Sequence, residues 1–209
     1  MEVYLIRHTS VDVPKGVCYG FTDVPLKASF PEEAAETKKQ LAGLSFDCVY
    51  SSPLSRATKL ADFCGYPEAI RDERLKELNM GDWEMMRYDQ INDPEIRKWF
   101  EDYLNTPTKN GESFMDLYHR VSTFLKELKQ KPYQRVAIFA HGGVLICAQV
   151  FAGQVKMEEG YDNLTPYGGV KLREGDTLLI QGRWKNIARI ANEADGIVVI
   201  GLHQRKGIR

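Results

Sequence analysis

The stretch that decides the fold is Tyr4–Asp12, YLIRHTSVD. From Glu2 to Ile6 the chain is a run of β-formers, and the run ends abruptly in Arg7-His8-Thr9. Such a run reads as a buried strand. A cation and an imidazole side by side at its end either cap the strand in water or stand at the mouth of a site. Two further apolar runs close on comparable chemistry. Phe46–Ser52, FDCVYSS, ends in Ser51-Ser52 with Arg56 shortly after, and Arg135–Ala140, RVAIFA, ends in His141-Gly142-Gly143. The last run is wholly apolar after Arg135, the composition of a central strand covered on both faces.

Helical patterns separate these strands. PEEAAETKKQLAGL carries Pro31 and acids at its start, Lys38 and Lys39 late, and Gly43 as its stop. SPLSRATKLADFCG opens on Pro53 and stops at Gly65. GESFMDLYHRVSTFLKELKQ places Phe114, Leu117, Val121, Phe124, Leu125 and Leu128 at the spacing of one helical face. A further helix begins after His141. Residues 69–78 read as a short strand and an irregular segment, and residues 88–104 as a helical pattern broken around Pro94. Residues 9–30, rich in Gly, Pro, Asp and Thr, read as a long loop, which inside a compact domain is usually functional. Strand alternating with helix argues for an α/β domain with a mainly parallel sheet.

The chain has 209 residues, enough for one sizeable core, with 43% apolar and 27% charged residues as in ordinary soluble domains. A net charge of -1 supplies no global field for nucleic acid or an anionic membrane, so anion recognition must be local. Cys18, Cys48, Cys64 and Cys147 form no C-x-x-C pair, which fits reduced thiols in a cytoplasm. The N-terminus lacks the pattern of a signal peptide, and no stretch approaches the about 20 apolar residues of a membrane span. His119 and His203 show no ligand spacing, and no metal site is expected.

In open parallel sheets ligands bind outside the carboxyl ends of strands. If the three strands are neighbours, Arg7, His8, Arg56 and His141 converge, and the helix starting at Gly142 adds backbone N–H donors and the positive end of its dipole. A phosphate monoester matches that charge, because guanidinium binds its oxygens in bidentate fashion.

These residues carry a resemblance to the histidine phosphatases, the phosphoglycerate-mutase-like superfamily. Five motifs occur in family order: Arg7-His8-Thr9 for the usual Arg-His-Gly; SSPLSRA, Ser51–Ala57; LKELNMGDWE, Leu75–Glu84; Gly111-Glu112-Ser113; and FAHGG, Phe139–Gly143. The resemblance implies a three-layer α/β/α sandwich, no cofactor, and a covalent phosphohistidine route. His8 would be the nucleophile, its lone pair kept available by Arg7 and Arg56. Arg7, Arg56 and His141 would hold the phosphoryl oxygens. Glu77 would be the general acid, with Glu84 as the rival carboxylate in a structural role. The departure is Thr9 for Gly, whose hydroxyl becomes a candidate donor to phosphate.

GVCYGFTDVPL, Gly16–Leu26, resembles a stretch common in α-ribazole phosphatases and adds Tyr19 and Gly20 to the candidate binding residues; PYGGV, Pro166–Val170, resembles another. Phe21 stands where that group has Gln. The resemblance therefore implies dephosphorylation of α-ribazole 5′-phosphate in cobalamin assembly. Rival readings are a broad sugar or nucleotide phosphatase, a phosphoglycerate mutase, and a non-catalytic phospho-ligand module. The catalytic domain is expected over residues 1–172. Residues 173–209 form an atypical ending, either completing the sheet or an appended unit weakly similar to C-terminal modules of some ion-transport regulators. The expected partner is a small phosphorylated substrate, with no nucleic acid or membrane; a homodimer is left open.

Overall fold

A computed structural model describes residues 1–162 and 197–199. In chain order the elements are β1 (Glu2–Arg7), α1 (Phe30–Leu41), β2 (Cys48–Ser51), α2 (Ser55–Cys64), β3 (Ile70–Arg71), α3 (Ile96–Glu101), α4 (Phe114–Lys129), β4 (Arg135–Ala140), α5 (Gly142–Phe151), α6 (Met157–Asp162) and β5 (Ile197–Val199). The strands form one sheet in the order β3-β2-β4-β1-β5, and every described pairing is parallel. β4, apolar after Arg135, lies at its centre, and β5 pairs with β1 at Val3–Leu5.

Alternation along the strands sorts the core into two halves. Val3, Leu5, Val136 and Ile138 face one side and pack with Phe114, Leu117, Val121 and Phe124 of α4 and Val144 to Ala148 of α5. Tyr4, Ile6, Ala137 and Phe139 face the other and pack with Ala34 and Leu41 of α1 and Leu60, Ala61 and Cys64 of α2. The result is a three-layer α/β/α sandwich. All six apolar positions singled out on α4 are buried. Truncating a side chain such as Phe139, 0% exposed, costs about 3–5 kcal/mol.

Two expectations shift in detail. β2 is shorter than Phe46–Ser52, because Phe46 turns to pack edge-on against Tyr4 and Tyr66. α2 starts at Ser55 and not at Pro53. The Ser52 hydroxyl accepts the Leu54 N–H and the Asp23 carboxylate accepts the Ser55 N–H, so side chains serve the orphan donors that a longer helix would enclose. The motif Gly111-Glu112-Ser113 starts α4 through a capping box. Ser113 Oγ accepts the Asp116 N–H, and the Asp116 carboxylate accepts the Ser113 N–H. The atypical ending apart from Ile197–Val199, and the stretch PYGGV, lie outside the described residues.

Candidate active site

Parallel register brings three strand ends together. The His8 N–H donates to the Ala140 oxygen at 3.1 Å, and the Ser52 N–H donates to the Phe139 oxygen at 2.8 Å. His8 and His141 therefore leave adjacent strands at one level, with ring centroids 5.2 Å apart.

The nearest backbone sets the tautomer of His8. Its Nδ1 lies 2.7 Å from the Thr9 carbonyl oxygen, which can only accept, so Nδ1 carries the proton and Nε2 keeps the lone pair. Burial, then the guanidiniums of Arg7 and Arg56, hold this imidazole neutral by pushing its pKa well below 6.5. His141 is driven the same way by burial, Arg56 and His8. Its Nε2 is 2.7 Å from Ser52 Oγ. With the Ser52 hydroxyl assigned as donor to Nε2, the His141 proton sits on Nδ1.

Arg56 is wholly buried. One terminal nitrogen donates to Thr22 O at 2.9 Å and the other to Gly20 O at 2.6 Å, with the Tyr19 ring 5.6 Å away. Burial lowers its pKa and Glu77 opposes that, though guanidinium stays charged. Glu84 fixes the loop that receives Arg56: its carboxylate accepts the N–H groups of Gly20, Phe21 and Thr22, at 2.9, 2.8 and 3.2 Å, and that of Met80 at 3.1 Å. Burial alone would raise its pKa; these donors outweigh it and keep the carboxylate charged. Gly20 is obligatory here, because a Cβ would run into the Leu78 carbonyl oxygen. Both its backbone polar groups are engaged inside the protein, so its place in the site is to hold Arg56.

Glu77 sits at the start of α5. Its Oε2 accepts the Gly143 N–H at 3.2 Å and its Oε1 the Leu78 N–H at 2.9 Å. It shares a cavity of about 190 Å³ with Arg7, His8, Tyr19 and Gly143, and the rest of the lining is mostly apolar: Val17, Leu78, Met80, Tyr88, Phe114 and Leu117. Three buried polar atoms of this cluster have no hydrogen-bond partner: Thr9 Oγ1, Arg56 Nε and His141 Nδ1. Leaving such a group unsatisfied costs about 1–3 kcal/mol, so three around one site call for a polar ligand.

A model of the histidine phosphatase superfamily (branch 1) matches residues 3–170. The chain belongs to the histidine phosphatase superfamily. Relatives of this histidine phosphatase include the adenosylcobalamin/alpha-ribazole phosphatase of Escherichia coli (strain K12), 31% identical over 154 residues, 69% of this chain and 75% of that one. Another is phosphoserine phosphatase 1 of Hydrogenobacter thermophilus, 29% identical over 150 residues, 68% of this chain and 71% of that one. Among solved structures, the alpha-ribazole phosphatase of Shigella flexneri superposes with a TM-score of 0.68 at 29% identity, covering 76% of this chain and 82% of that one. The protein is thus a phosphatase with the phosphoglycerate mutase-like fold.

Of the residues expected in the site, Arg7, His8, Tyr19 and Glu77 line the cavity; the His141 ring lies 5.2 Å from that of His8, Arg56 lies against Tyr19, Thr9 follows His8, and Gly142 opens α5. Two residues beside the site had no role in the sequence reading, Arg120 and Glu112, the latter read only as part of the Gly111–Ser113 motif. Arg120 and Glu112 clasp each other at 2.8 and 2.9 Å beside the Glu77 segment. Their signal was available: Arg120 lies three residues after Leu117 on the inward face of α4, where a cation needs a partner. Phe21 faces neither cavity nor core. Its ring stacks against Lys76 and Arg120, at 5.1 and 5.6 Å. Among the described residues no group of His, Cys, Asp and Glu is arranged to hold a metal ion, and no helix is long and apolar enough to cross a membrane.

Proposed function

We propose that the protein hydrolyses phosphate monoesters by transferring the phosphoryl group to His8. Nε2 of neutral His8 attacks phosphorus opposite the ester oxygen, and the P–O bond breaks as the P–N bond forms. Arg7, Arg56 through Nε, His141 through Nδ1 and the Thr9 hydroxyl receive the three non-bridging oxygens, where charge accumulates. Protonated Glu77 gives its proton to the leaving alkoxide. The resulting carboxylate then takes a proton from water, which attacks phosphorus, releases inorganic phosphate and restores His8. The observation that carries this reading is the His8 ring: one nitrogen is tied to Thr9 O, and the other is free on the wall shared with Arg7 and Glu77.

The substrate we infer is α-ribazole 5′-phosphate. Likeness to two α-ribazole phosphatases supports it, as does the mostly apolar lining of the cavity. That lining suits a flat apolar group better than the charged ends of phosphoserine or 3-phosphoglycerate, whose carboxylates would be desolvated against Met80, Phe114 and Leu117. Comparing kcat/KM for these esters and for sugar phosphates tests the assignment. A clear preference for α-ribazole 5′-phosphate is expected. Equal values would remove the substrate assignment and leave the chemistry.

A further inference from the structure

We propose that Arg120 is a positioning residue for the general acid, setting Glu77 against the α5 terminus without touching substrate. The inference rests on the reading of Glu77 as the acid. Glu77 lies in an irregular stretch, Lys76–Met80, between two short 3-10 turns, where no ladder or helix fixes the backbone. Arg120 supplies what is missing. Its guanidinium donates to the backbone oxygens of Arg74 at 2.8 Å, Lys76 at 2.6 Å and Glu77 at 2.6 Å. Its remaining donors engage the Glu112 carboxylate in bidentate fashion. The five N–H groups of a guanidinium thus meet five acceptors, and none is left for a phosphate. Glu112 extends the clasp by accepting the Asn79 N–H at 2.9 Å, so the backbone is gripped on both sides of Glu77.

Phe21 joins this clasp to the phosphate clamp. Its ring lies over the Arg120 guanidinium, while the flanking carbonyls of Gly20 and Thr22 hold Arg56. A neutral unbranched side chain at 120 keeps the apolar stem packing and removes every one of the five bonds. The carboxylate would then drift from Gly143, and proton delivery would suffer while phosphate binding persisted.

The test compares p-nitrophenyl phosphate, whose leaving group needs no proton, with an alkyl phosphate, whose leaving group does. Arg120→Met should lower kcat/KM, which reports phosphoryl transfer to His8 and not its later hydrolysis, by about 100-fold on the alkyl ester and by less than about fivefold on the aryl ester, with affinity for inorganic phosphate nearly unchanged. Glu77→Gln should give the same pattern, and the double variant little more. The ratio of the two rates in one preparation cancels any loss of folded protein; Glu112→Gln, which weakens the same clasp, should shift it in the same direction. If Arg120→Met lowers both rates alike while Glu77→Gln changes the ratio, the positioning role is wrong and the acid assignment survives. If neither variant changes the ratio, both fail.

Discussion

Nδ1 of His8 lies 2.7 Å from the carbonyl oxygen of Thr9, the residue that follows it. This contact points the other ring nitrogen at the cavity with its lone pair free, which is what a nucleophile needs. The same Thr9 brings a hydroxyl that is buried and unpaired in the absence of ligand. In the proposed reaction the backbone of Thr9 would thus orient the nucleophile and its hydroxyl would bind the phosphoryl group.

Thr9→Val keeps the shape and removes the orphan hydroxyl. The unliganded protein should gain about 1 kcal/mol, because a buried unsatisfied group disappears. Affinity for inorganic phosphate should fall by about 5- to 10-fold, one hydrogen bond's worth. Thermal unfolding with and without phosphate reads both effects. A variant with unchanged phosphate affinity would show that the hydroxyl does not face the ligand.

Gly143→Ala should separate folding from catalysis. A Cβ there would land on Glu77 Oε1 and come within 2.8 Å of Leu117 Cδ2. The carboxylate is the end of a flexible side chain and can swing away, so the fold tolerates the change. We expect kcat on alkyl phosphates to drop by about 10- to 100-fold with little change in thermal stability. Undiminished turnover would mean that Glu77 does not work from the position it occupies.

Glu84→Gln replaces one of two acceptor oxygens with a donor, opposite the N–H groups of Gly20, Phe21, Thr22 and Met80. Loss of charge-assisted bonds should cost about 2–3 kcal/mol and loosen the loop whose carbonyls hold Arg56. KM should rise more than kcat falls. Denaturant unfolding and steady-state kinetics on one aryl phosphate check this, and a purely kcat effect would point to a direct chemical role for Glu84 instead.

Stability should fall in mild acid. His8 and His141 have folded pKa values well below 6.5, so below about pH 6.5 the unfolded chain takes up protons that the folded one refuses. More protons bound in the unfolded state means stability rises with pH, with a slope of about 1.4 kcal/mol per pH unit for each imidazole. The contribution is complete above about pH 6.5 and is lost as pH drops from 6.5 toward 5. Unfolding free energies of wild type and His8→Asn over this range should differ by one proton's slope. Parallel curves would show that His8 takes up its proton as readily in the folded chain as in the unfolded one.

The sheet was legible because its strands are short apolar runs, and α4 because six apolar residues keep one period. The closeness of His8 and His141 was legible from strand ends alone, since parallel pairing puts those ends at one level. Harder to read were features that depend on side chains reaching across the fold. The true start of α2 follows from Asp23, a residue 32 positions upstream of the N–H it accepts. Arg120 serves carbonyls 43 to 46 residues away, and no local pattern announces that. Phe21 reads as a change in a specificity loop, yet its ring rests on Lys76 and Arg120. Of the atypical ending, β5 joins the sheet beside β1, while residues 173–196 lie outside the described residues.

The most direct test is to trap the covalent enzyme. Glu77→Gln, loaded with p-nitrophenyl phosphate and quenched in alkali, should carry one phosphoryl group on His8, and phosphorus and proton NMR should place it on Nε2. His8→Ala should carry none. A phosphoryl group on Nδ1, on His141 or on any other residue, or turnover that persists in His8→Ala, would contradict the account.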